Sequence, residues 1–211
     1  MTTLGSVQEV ADILAAAMSP DYRIVVGIVG APGVGKSTIA AQLAELLDPL
    51  AALLPMDGFH LPQSRLSERG SRDRMGAPDT FDVPAFRASL IAIRRGFRQS
   101  EHAVIAPGFD RDIEEPVPHH IRIAPECCCV IVEGNYLLLD RGGWERTAPM
   151  FDLTFFVELD DETRIERLVA RHEQFGKSST DARAWALGPD QSNAELIATT
   201  APRADYRIAL G

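Results

Sequence analysis

The chain has 211 residues, 45% of them hydrophobic, and a formal net charge of −9. That size fits one domain with a sizeable core, and that charge gives no chain-wide attraction to nucleic-acid phosphates or anionic membranes, so any phosphate recognition must be local. Met1 to Met18 carries Glu9 and Asp12 without a basic leader, no run approaches the ~20 apolar residues of a membrane span, and Cys127, Cys128 and Cys129 are consecutive, outside disulfide or zinc spacing. A cytoplasmic protein with three small, buried packing cysteines is expected, and a homodimer is the default assembly. Lys36 and Lys177 are the only lysines among 21 basic residues, so each invites a reason.

Tyr22 to Val29 is a nearly continuous apolar run rich in valine and isoleucine, as in a strand covered on both faces. It leads into a glycine-rich loop and then into STIAAQLAELL, apolar at helical spacing. Ala51 to Met56 reads as a short strand ending at Asp57-Gly58. A helix follows with Asp82 as N-cap, Pro84 in the first turn, Phe86, Leu90 and Ile93 on one side, Arg94 and Arg95 in the last turn and Gly96 as terminator. Ala103 to Ala106, Cys128 to Val132 and Leu153 to Leu159 read as strands between proline-, glycine- or charge-rich connections, among which His119 and His120 are expected as loop residues without metal partners. Asp160 or Asp161 caps a helix to about Phe175, and a helix over about Asn193 to Thr200 precedes a terminal strand at Tyr206 to Ala209. Strands alternating with helices predict a single α/β domain over 1–211, a three-layer α/β/α sandwich around a mostly parallel, doubly wound sheet.

Gly30-Ala31-Pro32-Gly33-Val34-Gly35-Lys36-Ser37 has the spacing of a phosphate-binding loop. Its glycines permit a tight turn that aims backbone N–H groups at phosphate oxygens, and the following helix adds its positive end. Lys36 is placed to reach the β- and γ-phosphates and Ser37 to ligate magnesium, with Thr38 beside it. Such a pattern arises by chance in about one chain of this length in a hundred, and the strand before it and helix after it supply the required context. Gly176-Lys177-Ser178 is not a second such loop, because Arg171 stands where the first glycine belongs. Ligands of open α/β sheets gather at the carboxyl ends of strands. Asp57, after LLPM, and Glu133, after CVIV, emerge there; each taken alone reads equally well as a solvated charge or a helix cap.

The chain resembles the uridine kinase, phosphoribulokinase and pantothenate kinase group of P-loop kinases, and within it the fructose transport system kinases. The resemblance rests on GAPGVGKST, Pro55-Met56-Asp57-Gly58-Phe59-His60, Gly76-Ala77-Pro78-Asp79-Thr80-Phe81-Asp82, Ala106-Pro107-Gly108-Phe109-Asp110-Arg111 and Val132-Glu133-Gly134-Asn135-Tyr136. It implies ATP and Mg²⁺ as cofactors, Asp57 as the base that accepts the acceptor hydroxyl's proton, and Glu133 as a holder of magnesium or of a water on it. It also implies an acceptor pocket lined by His60, Asp79, Phe81, Phe109 and Arg111, with the closing loop Ala201-Pro202-Arg203 near adenine.

In the helix from Asp161, Arg164, Arg167 and Arg171 fall at i, i+3 and i+7 and so share one face, with Ile165, Leu168, Val169 and His172 on a neighbouring one. One face is expected to pack and the other to clamp the polyphosphate as part of a helical lid over about 161–190, Arg164 on the nucleotide and Arg167 and Arg171 on the charge of transfer. The ordinary alternative is a solvated face salt-bridged to Glu162 and Glu166. Three activities follow: a kinase acting on a small hydroxyl-bearing metabolite such as a sugar or nucleoside, a nucleotide-hydrolysing switch, and a catalytically silent ATP-binding regulator. The absence of Asn-Lys-x-Asp disfavours a guanine-specific switch.

Overall fold

The computed structural model describes residues 1–97 and 102–210. Its sheet strands in chain order are β1 (Thr2–Leu4), β2 (Ile24–Gly30), β3 (Ala51–Pro55), β6 (Cys129–Gly134), β7 (Leu153–Glu158) and β8 (Tyr206–Ala209), while β4 (Val104–Asp110) and β5 (Glu115–Ile123) stand apart. The helices are α1 (Val7–Ala17), α2 (Lys36–Leu46), α3 (Gln63–Glu68), α4 (Val83–Arg95), α5 (Asp161–Gln174), α6 (Ser179–Trp185) and α7 (Gln191–Ala198). The six-stranded sheet runs β1-β8-β7-β2-β6-β3 with every pair parallel.

Every residue of β2 and β6 is buried, because helices cover both faces. Val25 and Val29 face the layer built on α4 and α7, whereas Val26 and Ile28 face α1 and α2, where Leu14, Ile39 and Leu43 are buried. Cys129, the first residue of β6, joins Ile131 in the second core, whereas Cys127, ahead of the strand and outside its alternation, packs in the first; all three cysteines are free and buried. Asp82 caps α4 by accepting the Ala85 N–H at 2.9 Å, and Gly96 terminates it. Asp160, rather than Asp161, caps α5 by accepting the Thr163 N–H at 2.8 Å.

Three elements depart from the sequence expectation. The amino-terminal segment forms β1 and α1, the helix started by Ser6, which accepts the Glu9 N–H at 3.2 Å. The strand expected at Ala103 to Ala106 continues to Asp110 and pairs antiparallel with β5, so His119 and His120 lie in a strand and not in a loop. Pro116 and Pro118 disguise β5, yet a two-stranded ribbon leaves backbone N–H groups free to be lost, and the register shift between Ala106 and Gly108 absorbs the irregularity. The last helix begins at Gln191, continuing α6 through a π-helical turn, Ala186–Asp190, that accommodates Pro189. No described helix is long and apolar enough to cross a membrane.

Candidate active site

β2 delivers the phosphate loop at the centre of the sheet, and Gly35 starts α2 with φ +95°. Gly33 has φ +86°, and a Cβ there would lie 2.8 Å from both Arg164 O and Leu168 Cγ, so α5 rests directly on the loop. Lys36 is buried, its ammonium donates to Ala31 O at 2.9 Å, and desolvation pushes its pKa down to about 8 against the opposing pull of Glu133 and Asp57. Ser37 Oγ donates to Glu133 Oε1 at 3.2 Å.

Asp57 lies in the 3₁₀ turn Met56–Phe59 that follows β3, and Glu133 is the penultimate residue of β6, paired in register with Pro55. A Cβ on Gly134 would come within 2.5 Å of Met56 Cβ, so the missing side chain lets the turn carrying Asp57 close onto the end of β6. Burial, then the Asp57 charge, push the Glu133 carboxyl upward, with Lys36 opposing. Asp57 Oδ2 accepts from Arg111 Nη2 at 2.8 Å.

Two cavities meet here. One, of about 510 Å³, contains Lys36, Ser37, Asp57, His60, Glu133 and Arg171 on its wall. The other, of about 700 Å³, runs along the phosphate loop to Thr38, Gln42, Arg167 and Leu210. Gly33, Lys36, Ser37, Arg111 and Arg171 border both.

Of the residues expected at the acceptor, His60, Phe109 and Arg111 line the first cavity. His60 stacks on Phe81 at 3.9 Å and tilts toward Phe109 at 5.1 Å, and burial pushes its imidazole down, toward the neutral form. Phe81 stands behind it, 5.8 Å from Trp144 in the core, and supports the wall without lining it. Asp79 is outside the cavity: its exposed carboxylate pairs with Arg74 through bonds of 3.1 and 2.8 Å, which hold it below the usual range.

Arg164 lies apart from the other two arginines of α5. It is only 1% exposed, on the packed face with Leu168, bonded to Asp161 at 2.9 Å and to Gln191. It borders a third cavity, of about 610 Å³, together with Ala31 and Val34 of the phosphate loop and Ala201 and Pro202 of the closing loop, whereas Arg167 and Arg171 border the second. The row of three guanidinium groups is therefore two plus one, because four-residue spacing aligns Arg164 with buried Leu168.

The roof of the first cavity escaped sequence reasoning. It includes Arg72, Lys177, Trp185 and Asn193, with His172 Nε2 2.7 Å from Asp190 Oδ2 and Lys177 Nζ 4.8 Å from the Trp185 ring centroid. The scarcity of lysine was the one signal that pointed to Lys177.

The AAA domain family model matches residues 26–186. A candidate fructose transport system kinase from Silicibacter sp. TM1040 superposes with a TM-score of 0.86 at 34% identity, covering 96% of this chain and 98% of that one. The chain belongs to the P-loop kinases, in the uridine kinase-like superfamily. A candidate uridine kinase of Schizosaccharomyces pombe is 32% identical over 171 residues, 77% of this chain and 72% of its own. An ATP-dependent kinase-like protein of Aspergillus versicolor is 37% identical over 148 residues, 67% of this chain and 86% of its own. This P-loop kinase is thus an ATP-binding enzyme that transfers phosphate to a small metabolite.

Proposed function

We propose that the enzyme moves the γ-phosphate of ATP to a hydroxyl of a sugar, fructose-like, or of a nucleoside, with Asp57 as the base. The observation that carries this reading is the shared cavity: Asp57, at the end of β3, faces the same space as Lys36, Ser37 and Glu133. A nucleotide lying along the phosphate loop brings its terminal phosphate to the junction of the two cavities, and an acceptor in the first reaches it from the Asp57 side. The acceptor oxygen bonds to the γ-phosphorus as the bond to the β,γ-bridging oxygen breaks; ADP keeps that electron pair and Asp57 takes the hydroxyl proton. Because such transition states are loose, the carboxylate's larger contribution is to orient the hydroxyl in line. Lys36, Arg167 and Arg171 neutralise charge on the phosphates.

Ser37 and Glu133 suit magnesium: a hydroxyl and a carboxylate 3.2 Å apart form an all-oxygen pair, as a hard cation that also binds phosphate oxygens and water requires. Magnesium there would supply further neutralisation of the triphosphate. The two acceptor classes reflect the relatives' names, a fructose transport system kinase and a uridine kinase.

The test is a coupled ADP-release screen over sugars, nucleosides and vitamin precursors, with Asp57→Asn as the blank. Acceptor-dependent turnover should appear for one class and fall about 10²–10⁴-fold in the variant. Turnover indifferent to Asp57→Asn sinks the assignment of the base, and ATP hydrolysis that ignores every acceptor sinks the transfer reaction.

A further inference from the structure

Five residues border both cavities, and three belong to the phosphate loop; the other two are arginines from opposite walls. Arg171 comes from the lid helix α5, and Arg111 follows directly on β4, in a turn where Asp110 Oδ1 accepts the Asp112 N–H at 2.9 Å. The hairpin is pressed against the turn that carries Asp57, since a Cβ on Gly58 would lie 2.2 Å from Pro107 O. Arg111 is thereby kept within reach of Asp57, and the 2.8 Å contact engages only Oδ2 of the carboxylate. The Arg171 guanidinium has no hydrogen-bonding or ionic partner among the described residues, and burial followed by the Arg111 charge pushes it down. Two guanidinium groups thus converge where the acceptor and nucleotide cavities join, and Asp57, which borders the acceptor cavity alone, neutralises one of them.

We propose that Arg111 serves donor and acceptor together: it fixes Asp57 by Oδ2, leaving Oδ1 for the incoming hydroxyl, and with Arg171 it closes on the γ-phosphate. A planar guanidinium has N–H groups for both anions at once, which a point-charge ammonium does not offer in a fixed geometry. The hairpin then sets the distance between base and phosphoryl group. This inference rests on Asp57 being the base.

Calorimetric titration with magnesium-ATP and with magnesium-ADP, without any acceptor, tests it. Arg111→Gln should cut the preference for ATP over ADP about tenfold, as loss of a charged bond to the γ-phosphate requires. Arg111→Lys should restore part of it. Asp57→Asn, by releasing Arg111, should raise the preference about threefold, and this gain should vanish in the Asp57→Asn, Arg111→Gln double variant. A wild-type ratio in Arg111→Gln overturns the proposal, as does an Asp57→Asn gain that survives in the double variant. If Arg111→Gln melts before it can be titrated, Arg111→Lys decides on its own, since an unchanged ratio in that variant removes any need for the fork. With the acceptor found by screening, Arg111→Gln should also lower kcat about 100-fold; a loss confined to acceptor KM would reduce Arg111 to an acceptor contact. Failure of the base assignment is separately visible, as turnover that survives Asp57→Asn.

Discussion

Burial strips Lys36 of water, and Glu133 and Asp57 replace it only in part, so the ammonium titrates at about 8 instead of the ordinary 10.5. A bound triphosphate surrounds the same group with anionic oxygen and restores its proton. Below pH 8 Lys36 is charged with or without nucleotide, and affinity is insensitive to its titration; above pH 8 the free enzyme has lost the proton that the complex must regain, so ATP affinity falls as pH rises, by at most about tenfold per pH unit. Titrating ATP at pH 8.5 in two buffers of different ionisation enthalpy should register net proton uptake. Zero uptake would mean that Lys36 stays charged without nucleotide and that its burial is compensated.

The helix α5 carries two kinds of arginine, and the distinction generates a paired prediction. Arg164 and Leu168 are its fully buried side chains, packed under Gly33, whereas Arg171 reaches both cavities. Arg164→Ala removes the bonds to Asp161 and Gln191 and opens space beneath the phosphate loop, a loss of about 1–3 kcal/mol that should lower Tm by roughly 2–4 °C per kcal/mol. Arg171→Ala should leave Tm almost unchanged and lower kcat about 100-fold. Thermal melts beside turnover check both, and a reversal of the two phenotypes would return Arg164 to the nucleotide. The same element shows what was legible. The length of α5, a cap at Asp160 or Asp161 and its amphipathic spacing were readable because they are local, but which arginine lies under the loop depends on contact with Gly33, distant in sequence. β5 was illegible for the opposite reason: its local signal, two prolines and two histidines, argued against the strand that pairing with β4 creates.

At the scale of the molecule, the floor of the site could be read from the chain because each strand end announces its own loop: Gly30 closing β2, Asp57 just after β3, Glu133 next to the end of β6. The roof could not, since Trp185 of α6, Asp190 of the π-helical turn and Asn193 of α7 meet only when the lid folds over the sheet. That division places the two tryptophans in different worlds. Trp144 is fully buried and donates from Nε1 to Pro78 O at 3.1 Å, in a core that ligands do not reach. Trp185 is half-buried on the wall of the acceptor cavity, with Lys177 over its ring and His172 6.4 Å away. An acceptor that displaces water or shifts Lys177 alters the surroundings of Trp185 alone. Adding the true acceptor should therefore change the emission of the wild type and of Trp144→Phe, and leave Trp185→Phe silent. Because indole emission responds to local charge and water rather than to turnover, the signal identifies acceptors even in Asp57→Asn, where chemistry is blocked. A response that persists in Trp185→Phe would mean that ligand binding reorganises the core around Trp144, and the lid would then not be the part that moves.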